Sequence, residues 1–165
     1  MRVLAICRGA PGLGRVVPSL GLVQTLAHAG PVTARFVSYA AGASYLAAIG
    51  QEVVDLGRPI GQFIDPVTPQ ASRVRELVKR DAPDVALVDG EFLVPAVLAD
   101  LGVSIVFLAN PHDLQGGDNA FRRAHRSLLV HADAVLISSL GCRRPALWPG
   151  LVAGTPCLEV PAIIK

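Results

Sequence analysis

Short apolar runs alternate with helical segments from one end of the chain to the other. The apolar runs predict strands at residues 2–8, 32–39, 52–56, 84–88, 103–109, 134–138 and 157–160. The segments between them predict helices at residues 17–30, 40–49, 72–80, 92–101 and 119–131. Strands that alternate with helices of this length form βαβ units. Because such crossovers are right-handed, we expect an α/β fold with a doubly wound, mostly parallel, Rossmann-like sheet.

The composition is that of a folded domain with a high apolar content. Apolar residues make up 52% of the 165 positions, charged residues make up 17%, and the mean hydropathy is +0.48. Disordered chains are poor in apolar residues, and this length suits a single domain over residues 1–165. Two explanations fit the apolar content: strands buried on both faces of a parallel sheet, or a surface that a partner or a second copy covers.

Two residues and one segment are candidates for such a covered surface: Phe92, Phe107 and residues 145–150 with Trp148. We select them because large apolar side chains at a surface mark interaction sites. The alternative is that all of them pack in the core of the domain itself.

Charge and cysteine content exclude several classes of protein. The formal net charge of +2 is too small to indicate a nucleic-acid-binding protein. Three cysteines without a CxxC spacing argue against a disulfide scaffold and a structural zinc site, so we expect a cytoplasmic protein without a metal site.

No secretory signal is predicted, and the apolar stretch 92–109 is interrupted by a proline, an aspartate and a glycine, which argues against a membrane span. One segment is locally basic, and it is either a solvated helix face or a peripheral contact with an anionic membrane; it contains Arg122, Arg123, His125 and Arg126.

The turns after three of the strands carry the candidate chemistry. Ligands of doubly wound sheets bind beyond the carboxyl ends of the strands, which selects residues 9–15, 89–92 and 110–113. In the first of these turns Gly9, Gly12 and Gly14 spell GxxGxG, which matches neither the dinucleotide pattern GxGxxG nor a P-loop, so we expect no cofactor. The glycines either serve a tight turn, or they let a substrate approach the N-terminus of the first helix, where free N–H groups favour an anion.

Two titratable residues stand out in the other turns. Asp89 follows an apolar strand, where it could act as a general base or orient a sugar hydroxyl. The alternative is that Asp89 caps the helix that follows. His112 could titrate near neutral pH, and the alternative is a solvated loop histidine.

The order of these pieces resembles the N-terminal domain of GT-B glycosyltransferases. The resemblance is nearest to the UDP-glycosyltransferase group and to the enzymes that add N-acetylglucosamine in peptidoglycan synthesis. It is carried by the sequence pieces at residues 12–15 with the helix that follows, 36–38, 50–54, 83–92 and 101–107. The resemblance implies that this domain binds the sugar acceptor and that a second Rossmann-like domain binds the nucleotide-sugar donor. The reaction then takes place in the cleft between the two domains.

Two features depart from the family pattern. Family members commonly carry a histidine after the Gly-x-Gly, often as the catalytic base, whereas this chain has Arg15. Because arginine stays protonated, Arg15 cannot serve as a base, but it could bind a phosphate or a carboxylate. The chain also stops at residues 161–165, about where a family member would enter its donor domain, so we expect that domain to lie outside this chain.

Our first hypothesis is the acceptor-binding half of an inverting GT-B glycosyltransferase, which acts with a donor-binding domain or subunit. Asp89 is the first candidate for the general base and His112 the second. Substrate-positioning roles fall to Gly12, Gly14, Arg15, Glu91 and Asn110. The alternative hypothesis is a non-catalytic scaffold that docks a donor-domain partner, and the arginine at position 15 favours it. A free-standing flavodoxin-like binder is a weaker third hypothesis, since no cofactor motif is present.

Overall fold

The computed structural model describes residues 1–57, 70–110, 124, 127–139 and 154–161. Within this part of the chain the strands are β1 (Arg2–Cys7), β2 (Thr33–Ser38), β3 (Val53–Asp55), β4 (Val85–Asp89), β5 (Ser104–Ala109), β6 (Ala134–Ser139) and β7 (Cys157–Pro161). The α-helices are α1 (Val16–Ala29), α2 (Ala40–Ala48), α3 (Ala71–Asp81) and α4 (Val94–Leu98), and Leu129–His131 form a 3-10 turn.

These strands form one parallel sheet in the order β3-β2-β1-β4-β5-β6-β7. Side chains of one strand alternate between the two faces of the sheet, and both faces are covered. Leu4 and Ile6 of β1 pack in a core with α3 and α4, whereas Val3 and Ala5 pack in a second core with α1 and α2. The predicted doubly wound α/β fold is therefore confirmed. Burial on both faces accounts for the continuously apolar strands.

The fourth helix is shorter than the sequence predicts. The apolar residues from 92 to 101 predict one long helix, but α4 has five residues and begins at Val94, with Pro95 in its first turn. Proline suits the first turn of a helix because its missing N–H has no intrahelical partner there. Of the predicted helix 119–131, residues 124 and 127–131 are described, and they are helical with a final 3-10 turn.

Two of the candidates for a partner-covered surface lie in the core instead. Phe92 is 6% exposed and Phe107 is fully buried, and their ring centroids are 5.0 Å apart. Both rings pack in the core beneath α3 and α4. Their proposed place on an exposed partner surface is therefore wrong, because the packing of the two rings against each other already removes them from water. Residues 145–150, with Trp148, lie outside the described residues. In the part of the chain that is described, no helix combines the length and the apolar character needed to cross a membrane.

The centre of the sheet contains a topological switch point. β1 is hydrogen-bonded to β2 on one side and to β4 on the other, and the connections from these strands cover opposite faces. In open α/β sheets this arrangement leaves a crevice beyond the carboxyl ends of the two central strands, and ligands bind there. The residues that follow β1 and β4 are therefore the first place to look for a site.

The turn after β1 packs directly against the start of α2. The amide of Gly42 donates to the carbonyl oxygen of Gly9 at 3.1 Å. A Cβ atom on Gly9 would lie 1.8 Å from the carbonyl oxygen of Tyr39, which no side chain can tolerate. Glycine at position 9 is thus required by the close approach of two backbone segments.

Candidate functional site

Asp89 is the last residue of β4 and lies at the switch point. Its carboxylate is 2% exposed. Arg15 Nη1 lies 3.2 Å from Oδ1, and the hydroxyl of Ser19 donates to Oδ2 at 3.0 Å. The expectation that Asp89 caps the next helix is wrong, because α4 begins five residues later with Leu93 as its N-cap. Asp89 therefore links the end of β4 to the start of α1.

The N-terminus of α1 offers few backbone donors to a ligand. The amides of Val16 and Val17 both donate to the carbonyl oxygen of Leu13, at 3.1 and 3.0 Å. The next residue, Pro18, has no N–H. The first three positions of α1 therefore offer no free N–H to an anion, and an anion held by the preceding turn, residues 9–15, stays a prediction. The negative charge near the positive end of the helix dipole is the Asp89 carboxylate, which reaches the first turn through Ser19.

Glu91 is the second carboxylate of the site and is fully buried. The hydroxyl of Tyr39 donates to Glu91 Oε1 at 2.7 Å. Arg8, which directly follows β1, forms an ion pair with the same oxygen through Nε at 3.5 Å. Each buried carboxylate is thus paired with one arginine and one hydroxyl, as burial of a charge requires.

Gly90 separates the two carboxylates and lies between the two arginines. Its φ of +77° is in the left-handed region, which residues other than glycine rarely adopt. A Cβ atom here would lie 3.2 Å from Arg8 Cβ and 3.2 Å from Arg15 Cγ. Position 90 therefore requires glycine both for its backbone conformation and for the space between the two side chains.

The remaining candidate residues are Gly12, Gly14, Asn110 and His112. Gly12 has a φ of +76°, so its turn favours glycine, whereas a Cβ atom on Gly14 would meet nothing within 4 Å. Asn110 directly follows β5, at the same edge of the sheet, and is half-buried. His112 lies outside the described residues, as do Arg122, Arg123, His125 and Arg126. Within the described residues no group of side chains could hold a metal ion.

Sequence reasoning missed three residues of the site, Arg8, Ser19 and Tyr39. A signal existed for Arg8, which is a charged residue at the carboxyl end of a buried strand and faces the crevice for the same reason as Asp89. Cys7, which pairs with Asp89 in the register of β1 and β4, was expected in the core and is buried there. Burial, and then the nearby Asp89 carboxylate, raise the pKa of the Cys7 thiol, so it is not a nucleophile at neutral pH.

The sequence matches no family model and no curated protein. Solved structures, however, share its fold. Arabidopsis thaliana UGT89C1, complexed with quercetin, superposes with a TM-score of 0.77 at 15% identity over 99% of this chain and 50% of that one. MurG of Acinetobacter baumannii superposes with a TM-score of 0.61 at 13% identity, over 98% of this chain and 45% of that one. The chain has a Rossmann-like α/β fold that matches part of these GT-B structures.

A third GT-B-like structure is the UDP-GlcNAc 2-epimerase of Neisseria meningitidis bound to UDP-GlcNAc. It has a TM-score of 0.63 and 15% identity, over 83% of this chain and 40% of that one. The resemblance seen in the sequence is therefore confirmed as a likeness of fold. This chain spans about half of the length of these three GT-B-like structures, or somewhat less.

The position of Gly90 between the arginines leads to a prediction about stability. Gly50 has nearly the same φ, +75°, but a Cβ atom there would meet nothing within 4 Å, so it is a matched control. Gly50→Ala should cost about 1–2 kcal/mol, the usual penalty of a left-handed backbone. Gly90→Ala should cost about 1 kcal/mol more than the control, because its methyl group must also displace Arg8 and Arg15. Urea unfolding of both variants measures the difference, and equal losses would contradict the geometry described for Gly90.

Proposed function

We propose that this chain is the acceptor-binding half of an inverting GT-B glycosyltransferase. It would bind the molecule whose hydroxyl receives a sugar, and act with a domain or subunit that binds the nucleotide-sugar donor. The observation that carries the proposal is the cluster of Arg8, Arg15, Asp89 and Glu91 at the switch point of a GT-B sheet. Charged side chains gather here at the edge where such sheets bind their ligands.

The similar structures support both kinds of substrate. UGT89C1 is complexed with quercetin, a polyphenol whose hydroxyl groups are of the kind that accept a sugar. The epimerase is bound to UDP-GlcNAc, which is a nucleotide sugar. The match to about half of each protein's length supports the proposal that this chain supplies one of two domains.

The reaction we propose is a direct displacement at the anomeric carbon of the donor sugar. The acceptor hydroxyl attacks this carbon and loses its proton to a base, and the nucleoside diphosphate leaves. Asp89 remains our first candidate for the base. Because it is 2% exposed and already accepts hydrogen bonds from Arg15 and Ser19, a hydroxyl can reach it only if the crevice opens beside these residues. A base must come within about 3 Å of the proton that it takes.

The same geometry favours a second candidate function, a non-catalytic scaffold that binds the acceptor and a donor-domain partner. Arg15 stands where the resembling enzymes commonly carry a catalytic histidine, and it cannot accept a proton. Asp89 is engaged in holding this arginine. In a scaffold, Asp89 would be a positioning residue for Arg15 and would never meet a reacting hydroxyl.

We expect that the 165-residue chain alone will not transfer sugar. A GT-B enzyme needs a donor site on a second domain, and this chain spans about half of the GT-B structures it matches. The purified chain is incubated with a panel of nucleotide sugars and hydroxyl acceptors, with and without the donor-binding domain encoded in the same or an adjacent reading frame. Transfer should appear only when both are present. Turnover by the chain alone at about 1 s⁻¹ or more, a rate typical of enzymes, would contradict the proposal.

The variant Asp89→Asn, measured in that two-domain enzyme, distinguishes a catalytic role of Asp89 from a role in a non-catalytic scaffold. If Asp89 is the base, kcat should fall by about 10²–10⁴-fold, because asparagine cannot take a proton. Ser19→Ala is the control, since it removes one hydrogen bond to Asp89 and keeps the carboxylate. The control should lower kcat much less. If Asp89→Asn transfers sugar at nearly the wild-type rate, Asp89 is not the base. If the wild-type pair binds acceptor but transfers nothing, the scaffold is the correct function.

A further inference from the structure

Arg8 differs from most of the other arginines that the structure describes. Five of them donate side-chain hydrogen bonds to carboxylate or carbonyl oxygens: Arg2, Arg15, Arg35, Arg75 and Arg80. Within the described residues, the guanidinium of Arg8 makes a single polar contact, the 3.5 Å ion pair of Nε with Glu91. Nε itself is buried and donates no hydrogen bond to a described residue. Arginine carries five N–H donors, so a guanidinium held in this way keeps most of its donors for a ligand.

The N–H donors of the Arg8 side chain lie at the switch-point crevice. Arg8 directly follows β1, so it stands at the switch-point crevice, and its side chain is 36% exposed although Nε is buried. Arg15 stands on the other side of Gly90 and is 20% exposed. A Cβ atom on residue 90 would lie 3.2 Å from both side chains, so the glycine leaves the space that they occupy. Two guanidinium groups at one crevice favour an anionic ligand with several oxygens, such as a phosphate or a carboxylate.

We propose that Arg8 and Arg15 together bind a phosphate or carboxylate group of the acceptor across Gly90. The inference rests on the proposed function, because it assigns the crevice of this domain to the acceptor rather than to the donor. It narrows the acceptor to a molecule with an anionic group close to the hydroxyl that receives the sugar. Arg8 binds this group, and Glu91 is a positioning residue that acts through Arg8.

The two buried carboxylates preorganise the proposed anion site. A buried ion pair contributes little net stability, because desolvation of both charges offsets their attraction. Glu91 and Asp89 instead hold the guanidinium groups in place, so the ligand does not have to order two flexible side chains. Tyr39 and Ser19 fix the carboxylates in turn, at 2.7 and 3.0 Å.

The test is anion binding by the purified 165-residue chain at constant ionic strength. Inorganic phosphate, acetate and UDP are titrated separately, and binding is followed through the amide resonance of Gly90 and the side-chain Nε resonance of Arg8. We expect phosphate, acetate or both to shift the two resonances, with dissociation constants in the millimolar range. Which of the two binds more tightly identifies the anionic group of the acceptor. UDP should bind no more tightly than phosphate.

Three variants locate the binding. Arg8→Gln should weaken binding about tenfold or more, the usual loss when a charge-assisted hydrogen bond is removed. Arg8→Lys should keep part of the affinity because it keeps the charge. Arg73→Gln, on the exposed face of α3, is the matched control and should bind like the wild type. If Arg8→Gln does not fold, the Arg8 resonance of the wild-type chain still reports whether that side chain contacts the anion.

The outcomes separate this proposal from the proposed function. Equal affinity of Arg8→Gln and the wild type, or no response of the Arg8 resonance to either anion, would overturn the anion site even if the two-domain enzyme transfers sugar. Much tighter binding of UDP than of phosphate through Arg8 would overturn its assignment to the acceptor. Specific binding of phosphate or acetate that depends on Arg8 would support the site even if no sugar transfer were found.

Discussion

Burial of two carboxylates at the end of one central strand is the constraint on which the rest of this site depends. A charge removed from water must be paired and hydrogen-bonded, or it destabilises the fold by several kcal/mol. Asp89 meets this requirement with Arg15 and Ser19, and Glu91 meets it with Arg8 and Tyr39. These four partners come from the end of β1, both sides of the start of α1, and the residue that precedes α2. The two carboxylates thus connect β4 to three other segments across the switch point.

This arrangement determines how the crevice can recognise a ligand. In many α/β proteins a glycine-rich turn presents backbone amides to a phosphate. Here the amides of Val16 and Val17 are bonded to the carbonyl oxygen of Leu13 and the third position of α1 is proline, so these three helix positions have no free amide for a phosphate. Among the described residues, the positive groups at the crevice are the guanidinium groups of Arg8 and Arg15, and each is paired with a buried carboxylate. In the anion site that we propose, recognition depends on charged side chains that are paired with buried carboxylates, and Gly90 provides the space between them.

The sequence predicted the fold well and the site in part, for physical reasons that differ between residues. The strands were visible because a parallel sheet buried on both faces needs continuous apolar runs. Asp89 and Glu91 were visible because a charged residue at the end of such a run lies at the ligand-binding edge. Ser19 and Tyr39 were missed because each is locally unremarkable, and their partners lie 70 and 52 residues away. The shorter α4 was also missed, because apolar residues in a helical pattern do not reveal where the backbone turns before the helix begins.

The most direct test of this account is a double-mutant cycle between Arg15 and Asp89, measured by urea unfolding of the wild type, Arg15→Gln, Asp89→Asn and the double variant. Removing Arg15 alone leaves a buried charge without its cation and should cost about 3–5 kcal/mol. The double variant should be more stable than the sum of the two single losses predicts, by about 1 kcal/mol or more, as expected for residues in direct contact. Losses that add to within about 0.5 kcal/mol would contradict the claim that the buried carboxylate holds this arginine in the crevice.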